Sequence, residues 1–183
     1  MSQIKVDSIV PRAGSPSGGG GGIIQVVSAF KGDRFTTNSE SYVDITGMSV
    51  TITPKSNTSK ILVMGCFGMA SVTQSNLDHG HGIRILRNGS DNNKLNGSAN
   101  GNRGRMTMRG AGVAYNNDHA LGGFAFTGVD DPATTSALTY KVQVACQLSS
   151  RSFTLNSGYN YNNSTNIYDS TSMSSIVVME ITA

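Results

Sequence analysis

Lys60–Ser71 constrains the fold of this chain more than any other stretch. On an extended strand, residues two apart share a face. Here one face carries Ile61, Val63, Phe67 and Met69, and the other carries Leu62, Met64, Cys66 and Ala70. A strand that is apolar on both faces must be covered on both. The core of a two-sheet sandwich covers only one of them. The second needs another cover, and a partner subunit is the simplest.

The same period of two recurs along the chain. It predicts strands over Ile23–Phe30, Asp33–Thr37, Tyr42–Ile45, Met48–Thr53, Gly82–Arg87, Asp91–Leu95, Arg105–Arg109, Leu121–Thr127, Leu138–Leu148, Ser152–Leu155 and Ser174–Thr182. Gly47 reads as a turn, Pro54 as a stop, and Asn88-Gly89 as a hairpin turn. Within Leu138–Leu148, Val142, Val144, Cys146 and Leu148 are expected inward, with Lys141, Gln143 and Gln147 outward. In the last segment Val177, Met179 and Ile181 face one way, as expected of a central strand. No segment sustains a 3.6-residue period. These features predict an all-β protein, a jelly-roll-like antiparallel β-sandwich.

Ahead of this body, residues 1–22 have a different character. Ile4, Val6 and Ile9 sit in a short strand pattern with Lys5 and Asp7 between them. An isolated strand has no partners for its backbone, so this one is expected to add to a neighbouring sheet or to a groove on another protein. Pro11–Ser17 and the run Gly18–Gly22 form a tether. The expected layout is an attachment segment with its linker over 1–22 and a sandwich over 23–183.

Charged residues make up 14% of the chain, against roughly 25% in an average soluble domain. Such a composition suits a protein that hides surface against its own copies. A net charge of +3, scattered along the chain, does not argue for nucleic acid. No window is apolar for long enough to span a bilayer, and the N-terminal residues lack the apolar core of a signal peptide. Synthesis and assembly in a cytoplasm are expected. Cys66 and Cys146 lie in apolar strand patterns and read as buried free thiols, with a disulfide between neighbouring strands as the alternative.

Three constellations merit a chemical reading. His79 and His81, two apart beside Asp78, can put two imidazoles on one side of a metal; a solvated loop is the plainer reading, and no metal or other cofactor is expected. Arg103, Arg105 and Arg109, in a Gly/Asn setting, can bind phosphate or an acidic glycan, or can serve as the solvated charges of an edge strand. Tyr159, Tyr161 and Tyr168, interleaved with asparagines, make a polar-aromatic loop suited to recognising a sugar or a neighbouring subunit. Nucleophile elbows, phosphate-binding Walker loops and the HExxH zinc motif are missing, so an enzyme is not expected.

The opening Met1-Ser2-Gln3-Ile4-Lys5-Val6-Asp7-Ser8-Ile9 resembles the attachment segment of virion proteins from tailed phages, especially those of marine cyanobacteria. Gly22–Val27, Tyr42–Pro54, Ser59–Val63, Ile85–Gly89 and Ser175–Ile181 are similar to the head domains of phage fibre and appendage proteins. The resemblance implies a homotrimeric β-sandwich fixed to a larger particle protein by its N-terminus, assembled in the host cytoplasm and located in the virion. Ile4, Val6 and Ile9 would then dock on the particle. Leu62, Met64 and Ala70 would line the trimer interface. Tyr159, Tyr161, Tyr168, Arg103 and Arg105 would be candidates for binding a host-surface receptor such as a glycan. The chain is shorter than a long tail fibre, which leaves a short appendage, a capsid decoration or cement protein, and a carbohydrate-binding module open.

Overall fold

The computed structural model describes residues 22–70, 80–92, 94–111, 121–157, 165 and 170–182. The strands are β1 (Ile23–Lys31), β2 (Phe35–Thr37), β3 (Val43–Ile52), β4 (Lys60–Ala70), β5 (Gly80–Arg87), β6 (Ser90–Asp91), β7 (Met108–Ala111), β8 (Leu121–Asp130), β9 (Leu138–Cys146), β10 (Phe153–Leu155) and β11 (Ser174–Ile181). They form two antiparallel sheets. One runs β1-β11-β4-β10-β2, with β8 on the other side of β4; the second runs β3-β9-β5-β6, with β7 also on β5.

Setting aside the short β2, β6 and β10, the pairings are nested. The first strand pairs with the last (β1 with β11), the second with the second-last (β3 with β9), then β4 with β8 and β5 with β7. This is a long hairpin rolled over on itself, the jelly-roll topology. The rolling makes β11 and β4 central in their sheet, as the apolar character of both strands requires.

The core fills the space between the sheets. From the first sheet it takes Ile61, Val63, Phe67, Phe153, Leu155, Ile176 and Val178; from the second, Met48, Ile52, Ile83, Ile85, Tyr140 and Val144. Burial alternates along β11 and along β9 up to its last residues, as a strand with one face on the core demands.

Several boundaries differ from those the sequence predicts. Tyr42–Ile45 and Met48–Thr53 merge into one strand, β3. Gly47 takes φ +84°, and the register with β9 skips between Asp44 and Ser49, so the glycine forms a bulge within the strand. Of the predicted return segment Asp91–Leu95, Asp91 alone among the described residues is paired, in β6 together with Ser90. Beyond it, Asn96 replaces a paired strand: its side chain accepts from the Ile85 amide at 3.2 Å and donates to the Ile85 carbonyl at 3.0 Å. β9 ends at Cys146, so Leu148 is exposed rather than inward. The two cysteines are both free thiols; Cys146 is buried, but Cys66 is exposed on the outer face of β4.

The two sheets share their ends. Gly22, Ile181, Lys60, Asp130 and Leu138 lie at one end, the base. β1, β4, β7 and β9 finish at the opposite, distal end, and β5, β8 and β11 start there.

Candidate interaction surfaces

The outer faces of the two sheets differ in chemistry. On the β3-β9-β5 sheet the outward residues are polar and bonded to one another. The Thr51 and Thr139 hydroxyls lie 2.9 Å apart, Lys141 and Gln143 both donate to Asp44, and Arg84 Nε donates to Gln143 at 2.8 Å. The lysine, then the glutamine, holds the Asp44 carboxyl below the usual carboxylate range. A face built in this way is at home in water.

The outer face of the other sheet carries Ile23, Val26, Ser28 and Phe30 from β1, and Ser175, Val177, Met179 and Ile181 from β11. From β4 come Leu62, Met64 and Cys66, and from β8 come Ala125, Thr127 and Val129. None of these is charged; Lys60 sits at the basal margin. Five of the seven exposed large apolar side chains among the described residues lie here: Ile23, Val26, Phe30, Met64 and Val129. Phe30 is 62% exposed and Val26 55%, which is unusual for apolar groups gathered on one face. All five side chains are open to solvent in the single chain. At the margin, β8 pairs only with β4 among the described residues, through an unbroken register from Ile61↔Asp130 to Ala70↔Leu121. It has no proline, and Asp130, its one charge, is buried. The usual protections of a free sheet edge are lacking.

Of the residues expected at a trimer interface, Leu62 and Met64 are on this face, Leu62 half-buried and Met64 exposed. Ala70 ends the same strand and pairs with Leu121 and Thr154. Ile4, Val6 and Ile9, Tyr159, Tyr161 and Tyr168, and His79 lie outside the described residues. Arg103 is exposed in the segment between β6 and β7; Arg105 is half-buried there and donates from Nε to the Gly97 carbonyl at 2.7 Å. His81 is not on a solvated loop. It opens β5 with its ring between Phe124 and Phe153, and burial pushes its imidazole down to about 4. Its Nε2 has no partner among the described residues.

Next to this histidine, towards the distal end of the polar sheet, is a hollow of about 310 Å³ lined by Tyr42, Gly80, His81, Gly82, Met106, Arg109, Ala145, Cys146 and Gln147. A Cβ on Gly82 would stand 2.7 Å from Tyr42 Oη, so a glycine is needed for the tyrosine to close over the strand. Arg84 lies 4.0 Å over the Tyr42 ring and fixes it. Gln147 Oε1 accepts from the Gly80 amide at 3.1 Å and from Arg109 Nη2 at 3.3 Å. These residues come from distant segments, and the one local signal was Gly82 at the head of a strand pattern.

Two buried carboxylates hold the base together. Asp130 accepts from Arg87 Nη1 at 2.8 and 2.9 Å, Asn92 at 2.7 Å and Tyr140 at 2.7 Å. Burial first, and then the bond to Asp130, push the Tyr140 phenol up. Glu180 accepts from the amides of Lys55 at 2.7 Å and Ser56 at 3.4 Å and from the Gln25 side chain. Burial would raise its carboxyl, but the hydrogen bonds outweigh it and hold the group below its ordinary value. Both sets of bonds join strands to basal loops and are structural. Among the described residues no three His, Cys, Asp or Glu side chains gather as metal ligands.

Comparison with protein-family models and with curated proteins finds no match to this chain.

Proposed function

We propose that this chain is a virion structural protein of the tailed-phage kind. Its N-terminal segment, through Ile4, Val6 and Ile9, docks on a larger particle protein. The glycine run is the tether, and three copies of the jelly roll associate through the uncharged face of β1, β11, β4 and β8. That face is the observation that carries the reading. A polar, cross-bonded sheet on one side and an apolar, unpaired one on the other is the distribution expected of a subunit with one solvent face and one subunit face. The layout of the ends supports the reading as well. The tether joins the body at the base, so a head held by it turns its distal end away from the particle. Jelly rolls recur among viral coat and appendage domains, an analogy at the level of fold.

Light scattering of the purified chain tests the association. The expected mass is three times the 19.2 kDa of one chain. A single-chain mass from protein with an intact β spectrum would remove the trimer. Deletion of residues 2–10 tests the docking, with loss of the protein from assembled particles as the expected result and unchanged incorporation as the contrary one.

A further inference from the structure

We infer that the hollow beside Tyr42 binds a carboxylate-bearing sugar, one unit of an acidic polysaccharide. This goes beyond the assembly reading and does not depend on it.

Gly80 and Gly82 are among the lining residues, and the missing Cβ at Gly82 lets Tyr42 and Met106 close down over the strand beside the hollow. The walls are Tyr42 and Met106, apolar surfaces suited to the C–H face of a sugar. Among the described lining residues Arg109 carries the one charge and none is a carboxylate. His81 stays neutral near neutrality because it is buried, and the Arg84 guanidinium over Tyr42 adds to the positive sign that Arg109 gives the site.

Arg109 is exposed, on β7, which pairs only with β5 among the described residues, and a guanidinium matches the two oxygens of a carboxylate. Gln147, itself bonded to the Gly80 amide, takes a long hydrogen bond from this guanidinium and so aims it. The Gln147 side-chain NH₂ donates to no described residue, which leaves it for a sugar hydroxyl. A volume of about 310 Å³ is at the small end for ligand sites and fits a single ring better than an extended chain. Apolar walls with one cation suit a ring carrying one carboxylate better than a phosphate, which would draw on several donors.

The test is calorimetric titration of the full chain with uronic-acid trisaccharides of several linkages, each paired with its carboxyl-reduced counterpart. At least one uronate should bind, with its reduced counterpart weaker by about tenfold. Arg109→Gln should lose the same factor with an unchanged melting temperature, and Gly82→Ala should lose binding by displacing Tyr42. The inference fails if no uronate binds, if a reduced sugar binds as well as its acid, or if Arg109→Gln binds like the wild type. Subunit mass, measured on the same samples, reports on the assembly reading separately.

Discussion

The side-chain amide of Asn156 donates to the main-chain carbonyl of Lys31 at 2.7 Å, tying the strand that follows the tether to a residue 125 positions away. The same NH₂ reaches the Asp33 carbonyl at 3.0 Å, and Oδ1 accepts from Ser174 Oγ at 2.6 Å. One buried side chain thus joins the ends of β1 and β10 to the start of β11. Asn156→Ala should cost about 2–4 kcal/mol in urea unfolding, because it leaves buried carbonyls and a hydroxyl without partners. Asn156 also sits at φ +68°. Asn156→Gly, which accepts that conformation without strain, should be less destabilised than the alanine variant by roughly 1 kcal/mol. Equal losses in the two variants would contradict this assignment.

Glu180 gives the fold an acid limit. Its carboxyl lies below 4.5 in the folded chain, so the stability it contributes is complete above that value. It is lost as the pH falls through the lower, folded value. Asp44, held down by Lys141 and Gln143, acts in the same direction from the surface. The two separate in the Glu180→Gln variant. That protein should be less stable than the wild type near neutrality, and the gap should close as acid is added. Parallel curves of stability against pH would show that Glu180 is not the group responsible.

A single charge placed on the apolar face should break the association. Met64→Lys puts an ammonium at the centre of β4, where a partner subunit would have to bury it. The expected result is a fall in mass to that of one 19.2 kDa chain with an unchanged far-ultraviolet spectrum. Thr51→Lys, on the polar sheet, should leave the mass unaltered. If Met64→Lys keeps the wild-type mass, the interface lies elsewhere.

The two thiols offer a chemical readout of the same surface. Cys146 is buried, and burial raises its thiol, so it should react with a disulfide reagent only on unfolding. Cys66 is exposed on the face of a single subunit. It should react slowly in the assembled wild type and quickly in Met64→Lys. Fast modification of Cys66 in an assembled wild type would place that thiol outside the contact.

Much of this fold was legible because a strand declares itself by alternation. The two-sided pattern of β4 marked it as central and left one of its faces needing a cover, and Asn88-Gly89 marked a turn in which both residues take positive φ. What was hidden came from side chains that act at long range. Gly47 read as a turn, yet the surrounding sheet carries the strand through it as a bulge. Asn96 read as the start of a Gly/Asn-rich loop, yet its amide bonds Ile85 as a strand would. Glu180 lies in an apolar strand and gave no sign that it would be buried against the Lys55 amide. The hollow was least legible of all, since Tyr42, Gly82, Arg109 and Gln147 meet only once the hairpin has rolled.

The pairing of the first long strand with the last has a mechanical consequence. β1 enters at the base from Gly22 and runs antiparallel to β11 for its full length. A pull on the chain ahead of Gly22, resisted at the distal loops, is directed along β1 and not across it. All the rungs of the β1–β11 ladder then bear the load together in shear, and none can be peeled off singly. Under such a pull the head should yield late and all at once, with a lifetime set by its unfolding rate.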